Sequence, residues 1–218
     1  MPLASSVAGR PWCRCWSASR KDRNRQHRAL HGNLKVVVVN ITALSNLRLA
    51  LAGEPDVALV QELLAEQELL AEAKALGYMA AVGPDDFCLA AVLFKPGRGQ
   101  EMQLHCSGEW GSRTAAAIID LGEGYACCMA SVYGHHGPTV AQRQEPNSTS
   151  VHILAEFRAR GRGLCLLGGD FNVEPSGLEA HEVLGRAGWA DWSLEPTCRT
   201  ANTQRCRRID QCWLSEEM

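Results

Sequence analysis

Three runs of this chain stay apolar until their last residues and then turn polar: VVVVN at 36–40, VALVQE at 57–62 and LCLLGGDFN at 164–172. Runs of β-branched and aliphatic residues without inside-outside alternation predict strands covered on both faces, so the chain is constrained to bury its strands inside a layered core. With 218 residues it has the length for one full α/β domain and too little for two.

Between the first two strands, ALSNLRLALAG predicts a short helix stopped at Gly53, and LLAEQELLAEAKALG predicts a longer one stopped at Gly77. YMAAVG, FCLAAVLFK, TAAAIIDLG and YACCMASVYG then predict four strands in succession, with MQLHCSGEW as a looser one before the third. Consecutive strands favour antiparallel pairing over a pure βαβ array. HILAEFRARG predicts the end of a helix, SGLEAHEVLGRAG a further helix with Ser176 as N-cap, and RRIDQCWLS a last strand. The expected fold class is α/β: two packed mixed β-sheets flanked by helices, a four-layer α/β/β/α sandwich.

Charge is unevenly placed. Residues 1–33 carry Arg10, Arg14, Arg20, Lys21, Arg23, Arg25 and Arg28 against Asp22 alone. This stretch has no helical or strand period, and predicts a basic, disordered arm ahead of a domain over 34–218. Trp12, Trp16 and the arginines have the chemistry to stack on and pair with nucleic acid; a solvated tail is the other reading. The net charge is -2, so the body beyond the arm is acidic, which disfavours broad binding to a polyanion and suits divalent cations.

Of the ten cysteines, Cys88, Cys127, Cys128 and Cys165 sit in apolar runs, the pattern of small buried hydrophobes in a reducing compartment. Cys198, Cys206 and Cys212 lack the paired spacing of a zinc site. No apolar h-region opens the chain and no stretch approaches about 18 uninterrupted apolar residues. The expectation is an intracellular protein, nuclear or cytoplasmic, neither secreted nor membrane-spanning, and monomeric.

The chemistry lies at the strand ends. Asn40 ends VVVVN, Glu62 ends VALVQE, Asp170 and Asn172 end LCLLGGDFN, and Asp210 interrupts RRIDQCWL. A buried carboxylate without a partner is expensive, so several at strand ends point to a shared metal or a polar cleft. Oxygen donors of this kind suit Mg²⁺, which takes one or two carboxylates with waters and phosphate oxygens. Taken singly, Asn40 also reads as a turn residue and Glu62 as the first acid of the following helix, favoured there by its dipole. Asp170 and Asn172, flanking a phenylalanine after an apolar strand, have little packing rationale.

The order and wording of these segments resemble the endonuclease/exonuclease/phosphatase superfamily, which includes deoxyribonuclease I, apurinic endonucleases, inositol polyphosphate phosphatases, deadenylases and the endonuclease domains of LINE-type retrotransposons. VVVVNITAL resembles its opening strand, PDVALVQE its metal-binding strand, SVYGHHGP its tyrosine-bearing strand, GGDFNVEPSG its G-D-F-N box and RRIDQCWLS its R-I-D strand. The resemblance implies that Glu62 is the principal ligand of Mg (or Mn), with Asn40 close to the metal. It implies that Asp170 orients or deprotonates the attacking water, and that Asn172 and Tyr133 donate to the phosphate. A strand tyrosine is also commonly packing.

The superfamily pattern also includes a final S-D-H segment, whose histidine contacts the scissile phosphate and is held by the R-I-D aspartate, here Asp210. No such segment follows CWLSEEM. The expectation is therefore a domain truncated before it, short of a late strand or two beside Asp210 and with a sheet edge open. Thr42 stands where some nucleases of the superfamily carry an acidic neighbour of the metal. His135 and His136 replace the usual Pro or small residues and read as loop histidines. The implied function is metal-dependent hydrolysis of a phosphate ester in nucleic acid, DNA ahead of RNA, in the style of retroelement endonucleases because the loops between motifs are short. The alternatives are a catalytically inactive or vestigial fragment of such an enzyme, and a phosphatase of the same superfamily.

Overall fold

The computed structural model describes residues 34–62, 66–83, 88–102, 112–122, 124–135, 153, 157, 164–173, 179–192, 198–199, 206–207 and 210–215. The basic arm, His136, Ser176, Arg208, Ile209 and most of MQLHCSGEW and HILAEFRARG lie outside the described residues.

Strand β1 (Val36–Asn40) pairs in parallel with β2 (Val57–Gln61). β2 then pairs antiparallel with β4 (Ala90–Phe94), and β4 with β3 (Met79–Val82), closing a four-stranded sheet in the order β1-β2-β4-β3. The six-stranded sheet runs β5 (Gly99–Met102), β6 (Thr114–Gly122), β7 (Tyr125–Tyr133), β8 (Leu164–Asp170), β12 (Asp210–Ser215), β9 (Trp189–Asp191). Here only β7 and β8 are parallel. β10 (Cys198–Arg199) and β11 (Cys206–Arg207) form a separate antiparallel pair.

Alternation along the strands sorts the apolar residues into three layers. Val36, Val57, Leu59 and Phe94 of the first sheet meet Ile119, Cys127, Met129 and Leu166 of the second between the sheets. On the outer face of the first sheet, Val39, Val60 and Leu93 pack with Leu47 of the short helix α1 (Leu47–Ala50) and with Leu69 and Ala73 of α2 (Glu66–Ala75). On the outer face of the second, Val132, Leu167 and Trp213 pack with Ile153, Phe157 and with Leu184 of α3 (Glu179–Arg186). Strands covered on both faces are what the unbroken apolar runs require, and the four layers are those expected. Cys88, Cys127, Cys165 and Cys212 are buried free thiols, and Cys128 is half-buried.

The two glycines of LLGGD have steric reasons. A Cβ on Gly168 would stand 2.8 Å from Leu59 Cδ1 and 2.9 Å from Val38 Cγ2, so the absence of a side chain lets the two sheets approach. On Gly169 it would fall 1.9 Å from the carbonyl oxygen of its register partner Val132.

Two differences from the sequence reading stand out. β5 was not anticipated: its middle residues, Gln100 and Glu101, are exposed and polar, so it carries no apolar signature and exists through its pairing with β6. A second strand, β9, also lies outside the expected set. β9, whose three residues are too few for a periodic signal, pairs with β12 from Trp213 to Ser215. Among the described residues, the outer strands are β1 and β3 in one sheet and β5 and β9 in the other.

Candidate active site

The apolar layer between the sheets turns polar at one end, and strand alternation dictates which residues make it so. In β1, Asn40 continues the inward row of Val36 and Val38; in β8, Asp170 continues that of Leu164, Leu166 and Gly168. Ser131 and Tyr133 follow Cys127 and Met129 in β7, while Asp210 precedes Cys212 and Leu214 in β12. Register pairing then puts Tyr133, Asp170 and Asp210 in one transverse row of the second sheet. In the first sheet Asn40 lies opposite Gln61, with Glu62 next. Both rows sit at the C-terminal ends of parallel pairs, β1 with β2 and β7 with β8, where strand ends of α/β sheets commonly bind ligands.

Two hydrogen bonds cross from sheet to sheet at this edge. Asn40 Nδ2 donates to Asp170 Oδ2 at 2.9 Å, and the Tyr133 hydroxyl donates to Glu62 Oε1 at 2.9 Å. Asp170 Oδ1 accepts from the backbone N–H of Asn172 at 2.9 Å, and Asn172 Nδ2 donates to Gly134 O at 2.8 Å. Gly134 in turn donates its N–H to Asp170 O at 2.6 Å. A Cβ on Gly134 would lie 2.2 Å from Phe171 O, so this crossing of the two chain segments needs glycine.

Three of the four strands that carry these sheet-to-sheet contacts leave the sheet through a left-handed residue: Thr42 (φ 53°) after β1, Glu62 (φ 64°) after β2 and Asn172 (φ 54°) after β8. Non-glycine residues in that region are strained by about 1–2 kcal/mol each, asparagine least. At Glu62 the turn breaks the two-residue alternation. Gln61, still in the regular strand, bonds to Ser131 on β7, and Glu62 reaches Tyr133 on the same strand. At Thr42 the turn is closed by its N–H donating to Asn40 Oδ1 at 3.1 Å, which orients the Asn40 amide towards Asp170.

The electrostatics follow from this packing. Burial, with the Asp210 carboxylate next to it, pushes the Asp170 carboxyl up to about 6, against the opposing hydrogen bonds from Asn172 and Asn40. Burial and the bond to Glu62 hold Tyr133 well above the usual phenol range, so it stays a protonated donor. Its single proton goes to Glu62, which makes it a holder of that carboxylate in this structure. Arg113 covers the ring of Tyr133, with its guanidinium carbon 5.2 Å from the ring centre, and Nη1 donates to Tyr133 O at 3.4 Å and Gly134 O at 3.3 Å.

All six residues singled out in the sequence, Asn40, Glu62, Tyr133, Asp170, Asn172 and Asp210, thus converge on one edge of the two sheets. Arg113, Gln61, Ser131 and Gly134 escaped sequence reasoning. Gln61 and Ser131 left a trace, each as a polar residue at an inward position of a buried strand. The donors are oxygen-based, and among the described residues no three His, Cys, Asp or Glu side chains cluster closely enough to hold a metal on their own. Such a set fits magnesium, which keeps waters and recruits substrate oxygens, and does not fit a closed zinc site.

A sequence model of the Endonuclease/Exonuclease/phosphatase family matches residues 15–218. No match was found among curated proteins. Among solved structures, the chain is similar to humanized D. rerio TDP2 carrying 14 mutations, with a TM-score of 0.64 at 19% identity over 84% of each chain. It is similar to an AP endonuclease from Archaeoglobus fulgidus, with a TM-score of 0.63 at 13% identity over 84% of this chain and 86% of that one. D. rerio TDP2 complexed with single strand DNA product gives a TM-score of 0.59 at 18% identity over 84% of each chain. The family match takes in every strand of both sheets and both halves of the polar edge, and the chain belongs to the Endonuclease/Exonuclease/phosphatase family.

Proposed function

We propose that this protein is a metal-dependent phosphodiesterase that hydrolyses phosphate esters in nucleic acid, DNA ahead of RNA, in the style of retroelement endonucleases. The observation that carries the reading is the pair of sheet-to-sheet contacts, Asn40 with Asp170 and Tyr133 with Glu62, which assemble a carboxylate base, a metal-seeking carboxylate and amide donors at one edge. A related fold complexed with single strand DNA product supports nucleic acid as the substrate class.

The residues divide the work. Glu62, with Asn40 beside it, would hold Mg²⁺ or Mn²⁺, which when bound supplies Lewis acidity at a phosphate oxygen. Asp170 titrates near 6 and is mainly ionised at neutral pH, close to the optimum for a general base. Each of its oxygens already accepts one hydrogen bond, which fixes the carboxylate so that a remaining lone pair can take a proton from the attacking water. Asn172, whose amide is held beside Asp170 by its bond to Gly134 O, would donate to a phosphate oxygen as charge grows on it. Tyr133 holds Glu62 and is the further donor once that bond is released. Asp210 keeps Asp170 basic by repulsion.

The test is a plasmid nicking assay with Mg²⁺ and with a single-stranded RNA of the same sequence, using Asp170→Ala as the contamination control. The expected result is Mg²⁺-dependent DNA cleavage that falls by about 10³-fold or more in the variant. Equal cleavage by both proteins, or none by a folded wild type, overturns the reading; cleavage of RNA alone reverses the substrate preference.

A further inference from the structure

Gln61 and Ser131 take no part in the chemistry above, yet both are completely buried polar side chains next to a layer of apolar residues. Gln61 Nε2 donates to Ser131 Oγ at 2.8 Å, and Ser131 Oγ donates to Val60 O at 3.0 Å, so one hydroxyl ties β7 to both the side chain and the main chain of β2. Gln61 Oε1 has no partner among the described residues. A buried acceptor left so costs about 1–3 kcal/mol, and an apolar pair like Leu59 and Met129 in the same layer would avoid that cost. Stability alone does not account for the pair.

Its position does. Gln61 adjoins Glu62, and Ser131 lies two residues before Tyr133 on the same face of β7. Behind the Asn40–Asp170 and Tyr133–Glu62 bonds of the site, the sheets otherwise meet through apolar contacts, which are non-directional and resist sliding weakly. Hydrogen bonds are directional over a few tenths of an ångström, and this one is anchored one residue behind the site. We infer that the Gln61–Ser131 bond is an inter-sheet latch, and that both are positioning residues fixing Glu62 on one sheet against Tyr133 and Asp170 on the other. The inference rests on the phosphodiesterase reading for its kinetic arm only.

Ser131→Thr keeps the hydroxyl and adds a methyl, whereas Ser131→Val has the shape of that threonine with a methyl in place of the hydroxyl. With both variants folded, the valine chain loses about 10- to 100-fold in kcat at unchanged KM, while the threonine chain stays within about threefold of wild type. Equal kcat in the two variants overturns the latch, as does a loss carried by KM alone. Should the Ser131 variants fail to fold, Gln61→Met removes the bond from the other strand, and the same loss of kcat is expected. If the wild type proves inactive, the phosphodiesterase reading fails and the latch is judged by crystal structures of the two variants. The Tyr133–Glu62 contact of 2.9 Å is then expected to persist with threonine and open with valine, and its persistence in both sinks the inference.

Discussion

The Tyr133 hydroxyl donates to Glu62 Oε1 at 2.9 Å across the gap between the two sheets, so the phenol of one sheet holds the carboxylate of the other. Tyr133→Phe removes that donor from a left-handed, strained glutamate. The expected loss is about 1–2 kcal/mol, or a few degrees in Tm for a chain this size. In a Glu62→Gln background the same change should cost less, because the charge-assisted bond is already gone. Thermal melts of the four chains in chelator check this, and equal losses in both backgrounds contradict it.

Magnesium should raise Tm, since a ligand bound by the folded form alone shifts the equilibrium. Glu62→Gln should shrink that shift. The measurement is Tm against Mg²⁺ concentration for both chains, and an unchanged response in the variant removes Glu62 from the metal site.

Asp170 makes stability depend on pH in a definite direction. Its carboxyl titrates about 6 in the fold against 3.8 when unperturbed. Below about pH 4 both folded and unfolded chains are protonated here and no penalty exists. Between pH 4 and 6 the unfolded chain ionises first, and above 6 the fold carries the full penalty, about 3 kcal/mol for a shift of roughly two units. Asp170→Asn removes the charge but gives up one accepted hydrogen bond, about 1 kcal/mol. The variant should therefore be more stable by about 2 kcal/mol at pH 8 and less stable by about 1 at pH 4. Urea unfolding in chelator at the two pH values reads this, and a pH-independent difference refutes it.

Glycine substitutions should separate site geometry from helix propensity. Gly134→Ala drives a methyl to 2.2 Å from Phe171 O, a backbone atom that cannot step aside, so a loss of several kcal/mol or failure to fold is expected. Gly185→Ala, in α3 with nothing within 4 Å, should stabilise by about 0.5–1 kcal/mol. Denaturation midpoints of the two variants decide the point.

The sequence by itself determined the strands and the chemistry at their ends. Unbroken apolar runs such as VVVVN and LCLLGGD admit only doubly covered strands, and a side-chain period of two fixes Asn40, Asp170 and Asp210 on the inward face once their apolar neighbours are there. What the tertiary structure alone decided is everything that depends on two segments meeting. That Asn40 bonds to Asp170, 130 residues away, comes from β1 of one sheet facing β8 of the other. The left-handed turn that swings Glu62 back to β7 has no sequence mark, because glutamate is not chosen for that conformation. Arg113, the residue before β6, enters the site only through the antiparallel pairing of β6 with β7. β5 and β9 are too polar or too short to signal themselves and exist because a paired neighbour satisfies their backbones. Local chemistry sets the side-chain period, whereas the pairing of distant strands is decided by collective burial, which no single segment encodes.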